Sequence, residues 1–126
     1  MSHPTFRSNL DSIWADTAKS NKENAGWVFY DVKRNTVEQW RANEGEAGFM
    51  PNEPKEYQAL LDDFQRNGRN MILIVFAHTH PKGTPFPSGG ITGQKSDVGN
   101  LARKRTGPHS RALGVVIHGP GAIFLL

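Results

Sequence analysis

The 126-residue chain contains no cysteine. That excludes a disulfide framework, a thiolate zinc finger, an iron–sulfur cluster and a cysteine nucleophile. Any bound metal must therefore rest on His, Asp or Glu. No apolar run approaches the ~18 residues that a membrane-spanning helix needs. The segment 1–24 is mostly polar, holds no continuous apolar run and lacks the apolar core of a secretory signal. A cytoplasmic domain, or one exported without a signal peptide and without a membrane partner, is expected. Acids run out early: Asp97 is the last one in the chain. Net charge is only +3. The basic residues Arg103, Lys104, Arg105 and Arg111 read as a solvated helix end rather than a nucleic-acid patch.

What is present suits one compact domain over residues 1–126, with 1–7 expected to be disordered. Hydrophobic residues make up 37%, enough for one modest core. The 13 Gly and 8 Pro predict long loops between short elements. Ser8-Asn9-Leu10-Asp11 has the form of a capping box, and Leu10, Ile13, Trp14, Thr17 and Ala18 recur at helical steps. A helix over 9–20 follows. Residues 26–31 and 36–41 read as a hairpin around a turn at Lys33-Arg34-Asn35. Residues 43–53 read as a loop. Pro54 opens a second helix with Tyr57, Leu60, Leu61 and Phe64 as its apolar stripe and Gly68 as its stop. Met71 to Ala77 is apolar at every position, the pattern of a central strand buried on both faces. Residues 81–95 are too rich in Pro and Gly for regular structure. A short helix from Ser96-Asp97, with Val98, Leu101 and Ala102 facing the core, and a hairpin over 113–117 and 122–126 complete the chain. The fold class is α/β, a single mixed sheet flanked by helices.

The informative segment is His78-Thr79-His80-Pro81. Side chains at i and i+2 on a strand point the same way, so both imidazoles can converge on one ion. Asp97 is the nearest acid downstream and the candidate third ligand. Two His, an Asp and a water form the open tetrahedral site of a catalytic zinc. Such chemistry also needs a nearby carboxylate to take a proton. Glu44 and Glu46 are rivals for that role in a Gly-rich loop. His3, His109 and His118 read as surface histidines, Asp31 and Asp62-Asp63 as solvated acids, and Trp14, Trp27 and Trp40 as packing residues.

The set resembles the JAMM metallopeptidases, also called the MPN-type or JAB family. The likeness rests on His-x-His-Pro at the end of an apolar strand, then a Pro/Gly/Ser loop, then Ser and Asp. An upstream Glu-x-x-Gly, here Glu23-Asn24-Ala25-Gly26, leads into a strand. The element order over 9–118 is also similar. The short Gly/Ser-rich form is similar to JAB-like domains at the ends of bacterial toxins. The resemblance implies an MPN fold of cytidine-deaminase-like architecture, Zn2+ held by His78, His80 and Asp97, and Glu23 as general base. It implies hydrolysis of a peptide or isopeptide amide bond by metal-activated water. The substrate would be a protein or peptide, such as a ubiquitin-like conjugate or a peptidoglycan peptide. An immunity protein would be the partner of a toxin. The family spacing puts a serine at Ser88 and an aspartate at position 91, where Ile91 stands. Asp97 comes six residues later and directly follows Ser96. Either Ser88 or Ser96 is then the oxyanion donor. Two other readings compete: a non-catalytic MPN-fold protein-binding module, and a basic nucleic-acid-binding or nuclease domain.

Overall fold

The structure is a computed structural model that describes residues 4–45, 50, 52–80, 97–117 and 123–125, with side chains for 10–45, 50, 52–80 and 99–117. Its elements are α1 (Pro4–Ser20), β1 (Ala25–Asp31), β2 (Thr36–Arg41), α2 (Glu53–Arg66), β3 (Met71–Thr79), α3 (Asp97–Lys104), a 3-10 turn (Gly107–His109), β4 (Leu113–Ile117) and β5 (Ile123–Leu125). Helix α1 starts at Pro4 rather than after Ser8, so the capping-box reading of Ser8 and Asp11 is corrected and residues 4–7 form a helical turn. Proline suits a first turn because its missing N–H has no partner there. Helix α2 stops as expected: Gly68 adopts φ +65°, which a residue without Cβ takes at little cost. Among the described residues no helix is long and apolar enough to cross a membrane.

One five-stranded sheet has the order β2-β1-β3-β4-β5. Strand β3 is central, antiparallel to β1 and parallel to β4, which makes the sheet mixed. The strand runs on to Thr79, two residues beyond the expected stretch. The register of β1 with β3 shifts between Val28 and Phe29, whose partners are Val75 and Leu73. Ile74 is therefore an extra residue, a β-bulge. The bulge resets the alternation of β3. Leu73 and Phe76 face a core with Ala25, Trp27, Phe29, Tyr57, Phe64 and Leu101. Ile74, Val75 and Ala77 all face a second core with Leu10, Ile13, Val28 and Val115 under α1. Full burial of a Val, Leu, Ile or Phe side chain in such a core contributes roughly 1.5–3 kcal/mol.

Four polar residues depart from the sequence reading. Asp31 is buried rather than solvated, 2.9 Å from Arg69. The Arg69 hydrogen bond, and then the Arg34 backbone N–H, hold its carboxyl below the usual carboxylate range. Lys104 is buried too, not part of a solvated basic end. Its Nζ donates to Glu53 Oε1 at 2.8 Å and lies 4.3 Å from the Phe76 ring centroid. Glu53 belongs to α2 rather than to the preceding loop, and it is fully buried. It also accepts from Trp27 Nε1 and Asn100 Nδ2, both at 2.8 Å. Among the described side chains of α3, Leu101 and Lys104 are buried whereas Ala102 is exposed; the Val98 side chain lies outside the description. His109 is no idle surface residue: its Nδ1 accepts the Leu73 backbone N–H at 2.9 Å.

Two predictions follow from these buried groups. Lys104→Met leaves the Glu53 charge uncompensated, so urea unfolding should show a loss of about 3–5 kcal/mol. The double change Glu53→Leu with Lys104→Met should recover most of it, and no recovery would mean the pair is not the coupled unit. Burial lowers the His109 pKa below its ordinary value of 6.5. The unfolded chain then binds the proton more readily, so stability is complete above about pH 6.5. It should fall as pH drops below that value and level off below the depressed native pKa. Comparing unfolding of wild type and His109→Asn from pH 7.5 to 5 checks this, the variant showing the shallower dependence.

Candidate metal centre

The bulge decides what the end of β3 presents. Phe76, His78 and His80 form one column of rings on the α2/α3 face. Phe76 and His78 stack at 5.6 Å between centroids, and His78 meets His80 edge-on at 5.1 Å. His78 pairs with Ala25 across the sheet on one side and with Val116 on the other. Ala25 is the small neighbour that leaves room beside the imidazole. His80 lies just past the strand, and its N–H continues the parallel ladder to Ile117 O at 3.0 Å.

Glu23 stands two residues before Ala25, at the entrance of β1. Its carbonyl accepts the Gly45 N–H at 2.8 Å, which fixes the chain there. One ligand atom from each of Glu23, His78 and His80 lies within 4.8 Å of the others, and all three residues are buried. Two imidazoles and a carboxylate are donors that zinc takes, at about 2.0–2.2 Å from the ion. A group of that span, shielded from water, fits a single divalent ion.

The other expected members are placed less closely. Asp97 is the first residue of α3; its side chain lies outside the description. Ser88 and Ser96 lie outside the described residues, as do Glu46 and His118. Glu44 is exposed, and Asn24 Nδ2 donates to it at 3.3 Å. Hydrogen bonds, first a Ser20 side chain and then Asn24, hold its carboxyl below the usual range, which suits a structural acceptor rather than a base.

Sequence reasoning missed the residues between the candidate ligands. Thr79 separates the two histidines and Asn24 follows Glu23, and both point to the α1 face. Thr79 N donates to Asn24 O at 2.9 Å, and Asn24 N donates to Thr79 Oγ1 at 2.9 Å. The Thr79 and Thr17 hydroxyls meet at 2.5 Å. The only signal in the sequence was Thr17 on the otherwise apolar stripe of α1.

A mixed α/β sheet whose central strand ends in a buried His-x-His beside an acid from the neighbouring strand defines a domain with a candidate metal centre. The chain belongs to the prokaryotic homologs of the JAB domain, whose profile matches residues 7–90. That span contains Glu23, His78, His80 and Ser88 and stops before Ser96 and Asp97. No similar protein is found among the curated proteins.

If the cluster holds an ion, a divalent metal should stabilise the fold by mass action. Zinc at 100 times its Kd should contribute ~2.7 kcal/mol and raise Tm by several degrees. His78→Ala and His80→Ala should each abolish the shift. An equal shift in those variants would place the ion elsewhere.

Proposed function

We propose that the chain is a zinc-dependent hydrolase that cleaves a peptide or isopeptide amide bond. The observation that carries this reading is the buried grouping of Glu23, His78 and His80 within 4.8 Å. Membership of the JAB-homolog family supports it. When bound, zinc supplies Lewis acidity toward a carbonyl and lowers the pKa of a coordinated water to about 7.

The chain's own groups do the rest. His78 and His80 would hold the ion through imidazole nitrogens, with Asp97 as the third ligand. The Glu23 carboxylate accepts the proton that the attacking water gives up. It then returns that proton to the leaving nitrogen, which departs as a neutral amine instead of an amide anion. Ser88 or Ser96 donates a hydrogen bond to the developing oxyanion, a contact whose loss commonly costs ~10²–10³ in rate. The burial of Glu23 keeps bulk water from competing for that proton. The substrate is a protein or peptide, either a ubiquitin-like conjugate or a peptidoglycan cross-peptide. As a toxin-terminal effector, the domain would be held in check by a cognate immunity protein.

The test is metal content and turnover measured together. Wild type should carry near one zinc per chain and cleave an isopeptide-linked conjugate or a cross-linked muropeptide. Asp97→Ala should lose most of the zinc. Glu23→Gln should keep the zinc and lose at least ~10²-fold in kcat. Zinc-loaded wild type that cleaves neither substrate class, with Glu23→Gln indistinguishable from it, overturns the hydrolase reading and favours a binding module.

A further inference from the structure

We propose that Thr79, tied to Asn24 and Thr17, is the positioning residue of the metal centre; the inference rests on the hydrolase reading above for what the centre does. Its basis is the alternation of the two strands. The base Glu23 and the two histidine ligands, His78 and His80, occupy one face. The residues interleaved with them, Asn24 and Thr79, occupy the other. There they meet Thr17 of α1 in a buried polar cluster where the surrounding core is Leu10, Ile13, Val75 and Ala77.

The exposures of Thr17, Asn24 and Thr79 are 1%, 3% and 0%. Apolar side chains of similar shape would fill this space at no desolvation cost. What the polar set adds is direction. A backbone–backbone bond from Thr79 N to Asn24 O and a bond from Asn24 N to Thr79 Oγ1 join the peptide units flanking Glu23 to those flanking the histidines. The clamp is held in turn. Asn24 Nδ2 donates to Thr17 Oγ1 at 3.1 Å and to Lys22 O at 3.2 Å. Arg41 donates to Asn24 Oδ1 at 3.3 Å while its guanidinium pairs with Asp16 at 2.9 Å. Helix α1, the end of β2 and the entrance of β1 are thereby fastened to the residue between the two imidazoles. A slip of either strand end must break several directional bonds at once, so the separation of the carboxylate from the imidazoles is fixed from behind.

Thr79→Val keeps the side-chain shape and removes the hydroxyl, whereas Thr79→Ser keeps the hydroxyl. Zinc affinity is read by competition with a chromophoric chelator, and Tm is recorded on the same metal-free samples. Thr79→Val should bind zinc about 10–100-fold more weakly, the range for loss of an outer positioning group. Thr79→Ser should stay within about threefold of wild type. In the metal-free chain the 15N imidazole signals of His78 and His80 should be single and sharp in wild type and broadened in Thr79→Val. Should Thr79→Val fail to fold, Thr17→Val, which leaves both Asn24–Thr79 bonds in place, should weaken zinc binding several-fold and broaden the same signals. Unchanged zinc affinity together with unchanged imidazole signals in a folded valine variant overturns the proposal. A wild type that binds no zinc at all overturns the hydrolase reading instead, and the imidazole signals still decide whether the clamp orders the histidines.

Discussion

The pairing of β1 with β3 is the constraint on which the rest depends. Glu23 and His78 are more than fifty residues apart, and only the antiparallel register sets Ala25 opposite His78. That register brings the acid at the mouth of one strand to the end of the other. It is held by the sheet ladder, by apolar side chains on both faces and by directional bonds at the end where the candidate ligands sit. A hydrophobic interface alone tolerates small shifts, because burial is nearly independent of orientation. Hydrogen bonds lose strength steeply when misaligned. The molecule uses the first along the body of the sheet and adds the second where geometry matters for chemistry.

The two faces of the sheet carry different polar devices. Under α1 the set is neutral at its centre and ends in the Arg41–Asp16 pair near solvent. Between α2 and α3 it is charged: Glu53 is enclosed by Lys104, Asn100 and Trp27, and the ammonium lies against the Phe76 and Tyr57 rings. Phe76 in turn stacks on His78. Helix α3 is thus anchored at its C-terminal end, leaving Asp97 at the opposite end of an eight-residue helix. Burial raises the Tyr57 phenol well above its ordinary range, with the Glu53 charge adding to it, so the phenol stays neutral at any physiological pH.

Much of this was legible beforehand. Element order, the central position of β3, the Gly68 stop and the His-x-His pair follow from periodicity and composition, which are local properties. The Glu23 motif was found by likeness to a family, and the fold then set it beside the histidines. Three features were not legible for definite physical reasons. The bulge at Ile74 leaves no mark in a run of uniformly apolar residues, since every register of such a run buries equally well. Glu53 and Lys104 each look like ordinary surface charges, and only tertiary contact makes them a buried pair. Asp31 and His109 lie at element ends where solvent is the default, and their partners Arg69 and Leu73 are distant in sequence.

The bulge also shapes how this site can change over evolutionary time. Loss of the one extra residue, Ile74, would restore unbroken alternation and leave both imidazoles on the Glu23 side, because Leu73 and His78 would then stand an even number of positions apart. With the bulge kept, one residue lost or gained between it and His78 would swing both imidazoles to the α1 side. Two lost or gained together would preserve facing while moving the pair along the strand by about 7 Å. Length variation there should therefore come in even steps unless the bulge itself is lost, whereas the Pro/Gly-rich segment after the histidines is under no such parity rule.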